Sequence, residues 1–218
     1  LYDLRTEVKQ DGALTDLHHT RFGFRELWID GTDYRLNGRI FRLRGLVCAP
    51  RPESPETLRR YFLTGMERTN FTLVRHHMFP RPRYFYDLAD ELGMCLKDES
   101  AFYCAASSYA LTDDAFWANM GRHVEGMVRR SWNHPSLCIW STENEILHCG
   151  GSRTPGTDAQ IYKLGQLISQ LDPTRPVEYE GDGDVVGRAA TVNIHYPREF
   201  GCHDHNLWPN DSWWLGKE

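Results

Sequence analysis

The chain has 218 residues, 40% hydrophobic and 12% aromatic, which is enough to bury a core as one large domain or two small ones. Its formal charge of -5 comes from 30 acidic and 25 basic residues spread along the chain, so there is neither a basic stripe for nucleic acid nor an acidic tail. No apolar run reaches the roughly 18 residues of a membrane span, and the first residues lack a signal-peptide pattern, so no membrane partner is predicted and localisation stays open.

The N-terminal stretch, residues 1–27, alternates polar and apolar positions. The segments RTEVKQDGALTD and RFGFRELWID carry this pattern. Alternation of this kind is typical of antiparallel strands with one solvated face. We interpret this stretch as the last strands of a sheet domain that precedes the main one.

From residue 42 onward, short apolar runs alternate with longer helical segments, which predicts repeated βα units and a parallel sheet. Six strands are predicted, at 42–47, 71–77, 94–99, 137–143, 176–180 and 191–196. Four helices are predicted, at 54–68, 82–92, 113–132 and 158–171, and residues 183–187 are a short helix or a loop. The letters SPET indicate a helix start with a Ser cap.

Polar side chains gather at the C-terminal ends of these predicted strands. They are Arg75, His76, Asp98, Glu99, Asn144, Glu145, Glu180, His195 and Tyr196. After the first strand, the segment LRGLVCAPRPES lacks a glycine-rich phosphate loop, so a nucleotide site has little support. Strand ends converge on one axis in a barrel of eight βα units, and that is where such a barrel places its active site. The pattern therefore favours a barrel over an open sheet.

The tetrapeptide TENE, residues 142–145, ends the fourth predicted strand. One interpretation is that these are solvated loop residues that cap a following helix. The other is functional, because a strand buried on both faces has no structural need for carboxylates at its end. Trp140, just before them, offers an aromatic face that favours the functional interpretation.

Four ordered stretches closely resemble catalytic-domain motifs of glycoside hydrolase family 2, the family of β-galactosidases, β-glucuronidases and β-mannosidases. They are FGFRELWIDGTDYRLNGRIFRLRG, NFTLVRHHMFPRPRYFYDLADELGMCLKDE, RRSWNHPSLCIWSTENE and LDPTRPVEYEG, and they cover about residues 22–181. The resemblance implies an immunoglobulin-like β-sandwich that ends near residue 27. It then implies a (β/α)8 TIM barrel over residues 28–218, incomplete at about six βα units.

The resemblance also implies the chemistry of a retaining exo-β-glycosidase that removes terminal β-linked sugars. Glu145 is then the general acid/base, Asn144 hydrogen-bonds the sugar 2-hydroxyl, and Arg75 reaches the nucleophile. Burial beside Trp140 and a second carboxylate are expected to raise the pKa of Glu145. The family nucleophile is a Glu at the end of a seventh strand, beyond the six predicted here. We therefore interpret the chain as a C-terminally truncated fragment and expect it to be inactive alone.

Further candidates for sugar contact are less specific. Asp98 and Glu99 either touch the substrate or hydrogen-bond other protein groups, and His195 and Tyr196 either touch the sugar ring or belong to the core. Three tryptophans near the C-terminus are candidates for sugar stacking or for the core: Trp208, Trp213 and Trp214.

Several positions depart from the family pattern. Met78 and Phe79 stand where many members have His and Tyr, and Glu143 stands where galactosidases commonly have Gly. The letters HDH at 203–205 suggest a metal site only weakly, so no metal and no cofactor is predicted. The six cysteines lack CxxC spacing, which favours free thiols over a disulfide.

The identity of the sugar is not encoded in these motifs, and a homo-oligomer of the full-length enzyme stays open. Two other functions are compatible with the sequence. One is another barrel glycanase with the same Asn-Glu pair, and the other is a non-catalytic carbohydrate-binding barrel. A Glu after a seventh β-run would favour the active enzyme.

Overall fold

The computed structural model describes residues 1–47 and 54–193. The chain begins with a long hairpin, in which strands β1 (Tyr2–Gln10) and β2 (Ala13–Phe22) pair antiparallel. The turn residues Asp11 and Gly12 both have positive φ, 52° and 82°, as a type I′ hairpin turn requires. The hairpin agrees with the antiparallel strands predicted for residues 1–27.

A three-stranded antiparallel sheet follows. Its strands, in spatial order, are β3 (Leu27–Asp30), β4 (Asp33–Leu36) and β5 (Arg39–Ile40). Gly31 and Gly38 allow the two tight turns, with φ of 60° and 80°. This sheet was not predicted from the sequence, because strands of four, four and two residues are too short to show a clear alternation.

The main sheet has five parallel strands in the order of the chain. They are β6 (Gly45–Val47), β7 (Leu73–Arg75), β8 (Cys95–Glu99), β9 (Leu137–Asn144) and β10 (Val177–Glu180). Four helices connect consecutive strands: α1 (Pro55–Thr69), α2 (Arg83–Leu92), α3 (Asp114–Ser131) and α4 (Thr157–Leu171). An unbroken spatial order, without a switch point, is that of an incomplete α/β barrel, as predicted.

The sixth predicted strand, 191–196, is different. Its first three residues are described and form no strand of the parallel sheet, and Asn193 makes only an isolated antiparallel bridge to Gly183. Residues 194–196 lie outside the described part. The stretch predicted as a helix or loop is a short 3-10 turn, Val185–Gly187.

The helix boundaries have local causes. The Ser54 hydroxyl accepts from the backbone N–H of Thr57 at 3.2 Å, and Pro55 starts α1, so the predicted Ser cap is confirmed. Helix α1 ends at Asn70 in the left-handed conformation, with φ 55°. Asp113 caps α3 by accepting from Ala115 N at 2.8 Å.

Two apolar clusters hold the barrel together. The larger one lies between the sheet and the helices, and its fully buried members include Leu58, Phe62, Val74, Leu96 and Trp140. The smaller one lies at the N-terminal ends of the parallel strands, and it joins Leu27, Leu73, Cys95, Cys138 and Ile139 with side chains of β4. The three-stranded sheet therefore covers the N-terminal end of the barrel.

Two sequence predictions concern thiols and membranes. Within the described residues the four cysteines Cys95, Cys104, Cys138 and Cys149 are free, which confirms the free-thiol prediction for these four. Cys48 and Cys202 lie outside the described part. Among the described helices, none is both long enough and apolar enough to cross a membrane.

Candidate active site

Arg75 is at the centre of a group of polar side chains at the C-terminal ends of the parallel strands. Its guanidinium donates to the Glu99 carboxylate from Nε at 2.9 Å and from Nη2 at 3.2 Å, and Nη1 lies 3.1 Å from Glu180 Oε1. Nη2 also donates to Asn144 Oδ1. A planar guanidinium with five donors can join three strands in this way. Arg75 therefore fixes β8, β9 and β10 relative to one another at this end.

Asn144 and Glu145 mark the point where β9 ends. The loop that follows β8 is joined to this point by backbone bonds, from Asn144 N to Phe102 O at 2.9 Å and from Cys104 N to Asn144 O at 2.7 Å. Glu145 then has φ 55°, and its N–H donates to Glu180 O at 2.8 Å. A non-glycine residue held there costs on the order of 1–3 kcal/mol, and such positions cluster at functional sites.

Glu99 is fully buried, and protein donors occupy it. Besides Arg75, it accepts from the backbone N–H of Met78 at 2.7 Å, and Met78 itself has φ 69°. These contacts correspond to the second of the two roles predicted for Glu99, hydrogen bonding to protein groups.

A second ionic group lies further inside, along an open cavity of about 410 Å³. Lys97 Nζ contacts both Glu178 and Glu180, and Asn193 Nδ2 donates to Glu180 at 3.1 Å. Burial opposes ionisation of Glu178, but the charge of Lys97 and its hydrogen bonds outweigh burial and lower the pKa of Glu178 below its ordinary value. Lys97 and Glu178 were not predicted from the sequence as site residues. The alternation of KDE and VEYE is the signal that could have found them, because every second residue faces the barrel interior.

Glu143, which is fully buried, and Asp182, which is partly buried, are neighbouring acids behind the strand end. Glu143 is fully buried, and burial, reinforced by the negative charges of Asp182 and Glu99, raises its pKa well above the ordinary value. Burial also raises the pKa of Asp182, which accepts from Leu147 N at 2.8 Å and His148 N at 3.0 Å. Asp182 thereby fixes the loop that follows Glu145, and the raised pKa of Glu143 favours its protonated form.

Two thiols lie next to Glu145. The ligand atoms of Cys104, Cys149 and Glu145 all lie within 4.8 Å of one another. Burial and the nearby Glu145 carboxylate raise the pKa of Cys149 to about 11, and burial raises that of Cys104. A second group of comparable spacing, Asp87, Asp90 and His134, lies near the start of β9.

Not every predicted site residue lies in this group. The structure brings Arg75, Glu99, Asn144 and Glu145 together. Asp98 points the other way, because it accepts from Tyr86 Oη at 2.7 Å and pairs with His76 Nδ1 at 3.0 Å. These contacts correspond to the second of the two roles predicted for Asp98, hydrogen bonding to protein groups. Asp98 and Glu99 differ in direction because neighbours on a strand face opposite sides.

The expectation that Trp140 contacts the substrate requires a correction. Its side chain is fully buried among the core residues between sheet and helices, and Nε1 donates to Asp172 at 2.8 Å. Trp140 therefore offers no aromatic face at the strand ends. Several predicted residues lie outside the described part: His195, Tyr196, the HDH letters at 203–205, Trp208, Trp213 and Trp214.

Comparisons with known proteins agree with this architecture. The family model described as glycosyl hydrolases family 2, TIM barrel domain, matches residues 56–207. The apo structure of Bacteroides uniformis β-glucuronidase 3 is similar with a TM-score of 0.67 and 22% identity, over 80% of this chain and 23% of that one.

Two further solved structures are similar. A glycosyl hydrolase family 2 member from Bacteroides cellulosilyticus DSM 14838 has a TM-score of 0.69 and 23% identity, over 82% of this chain and 24% of that one. Parabacteroides merdae β-glucuronidase has a TM-score of 0.68 and 23% identity, over 80% of this chain and 22% of that one. At these identities the likeness is one of fold, and this chain spans about a quarter of the length of those proteins.

Proposed function

Because the chain belongs to glycosyl hydrolase family 2, we propose that it forms part of the catalytic barrel of a retaining exo-β-glycosidase. Its substrate is a glycoside or oligosaccharide with a terminal β-linked sugar, and Glu145 is the general acid/base. The observation that supports this most directly is the Asn144–Glu145 pair at the end of β9, next to Arg75.

Glu145 has the placement that the acid/base role needs. Glu145 is 8% exposed, so a substrate oxygen can reach the carboxyl group while bulk water is mostly excluded. In a retaining mechanism this group first protonates the leaving oxygen and later takes a proton from water. The backbone bonds from Glu145 N to Glu180 O and from Cys149 N to Glu145 O hold the residue in its left-handed conformation.

Asn144 is proposed to bind the sugar 2-hydroxyl. Arg75 carries only donors, so it must face the carbonyl oxygen of the amide, and this fixes the amide orientation. The amide NH₂ group is then turned toward Cys104 Sγ, at 3.7 Å, and can donate to a sugar hydroxyl at the same edge. A bond to the 2-hydroxyl strengthens in the transition state.

The nucleophile is proposed to lie outside the described residues. A retaining enzyme needs a second carboxylate about 5–5.5 Å from the acid/base. Glu99 and Glu180 are both bound to Arg75, and each has a further donor, Met78 N–H or Lys97. We assign these two carboxylates the task of positioning Arg75, which then holds the nucleophile ionised.

The test is Glu145→Gln in the protein at its natural length. We expect turnover of glycosides with poor leaving groups to fall by at least about 100-fold, the scale of general acid catalysis. Activated phenyl glycosides need less proton donation and should lose less in the glycosylation step. A panel of aryl β-galactosides, β-glucuronides and β-mannosides would identify the sugar.

The matched control is Glu125→Gln on the exposed face of α3, where Glu125 pairs only with Arg129, among the ion pairs of the described residues. This variant should keep wild-type rates. Equal loss for both classes of leaving group in single-turnover kinetics would show that Glu145 is not the acid. Absence of turnover by the wild-type protein on every glycoside would favour a non-catalytic barrel instead.

A further inference from the structure

We propose that Cys104, Cys149 and Glu145 form a binding site for a thiophilic divalent cation, with Zn²⁺ as its type, and that the bound ion inhibits the enzyme. The donor set is two sulfur atoms and one carboxylate, which is a combination that Zn²⁺ accepts. The binding site stands on geometry alone, whereas the inhibition rests on the proposed role of Glu145.

The spacing of the three ligand atoms suits one ion. They lie within 4.8 Å of one another, and a tetrahedral Zn²⁺ with bonds of about 2.0–2.3 Å needs separations of about 3.5–3.8 Å. The separations between the ligand atoms therefore have to shorten by about 1 Å, which rotation of the side chains can supply.

Backbone hydrogen bonds hold both cysteines in register with Glu145. Cys104 N donates to Asn144 O at 2.7 Å, and Cys149 N donates to Glu145 O at 2.9 Å. Asn144 Nδ2 also donates to Cys104 Sγ at 3.7 Å. A hydrogen bond from a neighbouring group to a metal ligand orients that ligand. Since the backbone already fixes two loops around Glu145, binding needs little further ordering.

The site is open to an arriving ion. Cys149 is exposed and Cys104 is partly exposed, so solvent can deliver the ion and fill its fourth position. The other cysteine pair, Cys95 and Cys138, is buried in the apolar cluster at the opposite end of the strands. Among the described residues, the thiols of Cys95 and Cys138 have no carboxylate positioned as a third ligand, and little solvent reaches them.

The second group of candidate ligands is less suited to an ion. Arg21 lies 3.1 Å from Asp87 Oδ1, and Asp90 pairs with His134 Nδ1 at 2.6 Å. The Arg21 guanidinium competes with a cation for Asp87. An ion at Glu145 would bind the oxygen that carries the catalytic proton in the proposed mechanism, and for this reason we expect binding to stop hydrolysis.

The binding test uses the protein at its natural length with Cys48→Ser and Cys202→Ser, so that thiols outside the described residues do not contribute. Zn²⁺ is titrated calorimetrically in the presence of a non-chelating phosphine reductant, and Co²⁺ is used to detect thiolate-to-metal charge transfer. We expect Cys149→Ser and Cys104→Ser each to weaken the binding by at least about 100-fold, the upper end of what loss of an outer partner costs. The control Asp87→Asn should bind as before.

The activity test follows hydrolysis of the preferred aryl glycoside with and without Zn²⁺. We expect Zn²⁺ to inhibit the wild-type protein, and we expect Cys149→Ser to resist this inhibition when its rate with Zn²⁺ is compared with its own rate without Zn²⁺. The proposal is overturned if the parent protein binds no Zn²⁺, if both cysteine variants bind it unchanged, or if Co²⁺ gives no charge-transfer band. A protein that binds Zn²⁺ as expected yet hydrolyses nothing would refute the proposed function and leave the metal site standing.

Discussion

The two ends of the parallel strands carry opposite kinds of side chain. At the N-terminal end, Leu73, Cys95 and Cys138 pack under the three-stranded sheet and exclude water. At the C-terminal end, the side chains that meet are charged or polar: Arg75 and its carboxylate and amide partners. Apolar packing and the polar candidate site are thereby separated along a few residues of each strand, which is the arrangement found in barrel enzymes.

The cysteine pairs repeat this contrast. The hydrogen bond to Cys138 and burial raise the pKa of Cys95, so this thiol acts as a small apolar side chain. Cys104 and Cys149 lie beside a carboxylate at the open end. The same residue type therefore packs at one end and is available to a ligand at the other.

The largest expected effect is at the charged end. Arg75→Met removes the partner of two buried carboxylates, Glu99 and Glu180, and should destabilise the protein by about 3–5 kcal/mol. The measurement is urea unfolding, followed by tryptophan fluorescence. The control Arg59→Met removes an exposed pair with Glu91 and should cost at most about 1 kcal/mol. Equal losses would mean that the buried carboxylates do not depend on Arg75.

The next effect is at the apolar end. Ile139 is fully buried there, and Ile139→Ala should cost about 2–5 kcal/mol through lost burial and a cavity. Below the melting temperature, kcat should stay close to wild type. The control is Ile40→Ala at a position that is 49% exposed, where the loss should be much smaller. A large fall in kcat for Ile139→Ala would break the separation between the two ends.

A smaller effect concerns pH. Because the folded state raises the pKa of Glu143, it binds this proton more tightly than the unfolded chain does. Its contribution to stability is present below the ordinary Glu pKa and is lost as pH rises toward the raised value, by at most about 1.4 kcal/mol per pH unit. Glu143→Gln keeps the neutral form and should flatten this part of the stability curve, measured by urea unfolding at several pH values. A slope unchanged in Glu143→Gln would show that Glu143 is ionised in the folded protein.

The smallest effect tests whether a polar residue at the charged end must be functional. Ser54 starts the helix that follows β6, and Ser54→Ala should cost about 1 kcal/mol by loss of the cap on Thr57 N. We expect kcat and KM to stay unchanged. Ser107→Ala, at an exposed position, should change neither stability nor activity. A loss of activity in Ser54→Ala would make the cap part of the site.

Sequence periodicity predicted the βα part of the fold well, because long amphipathic helices and apolar strands leave strong patterns. It did not predict β3–β5, whose strands are short, nor the burial of Trp140, because a strand buried on both faces does not show which side faces the barrel interior. The site was predicted in part. Arg75, Asn144 and Glu145 follow from motifs, whereas the meeting of Cys104 with Cys149 depends on loop paths that no local pattern encodes.

The left-handed backbone of Glu145 has a consequence for how this protein changes under selection. Glycine adopts φ 55° without steric cost, so Glu145→Gly relieves strain at the very residue on which turnover is proposed to depend. A library screened only for heat resistance should therefore enrich glycine at this position and lose catalysis. Under the proposed role of Glu145, function and stability therefore compete at a single position of the chain.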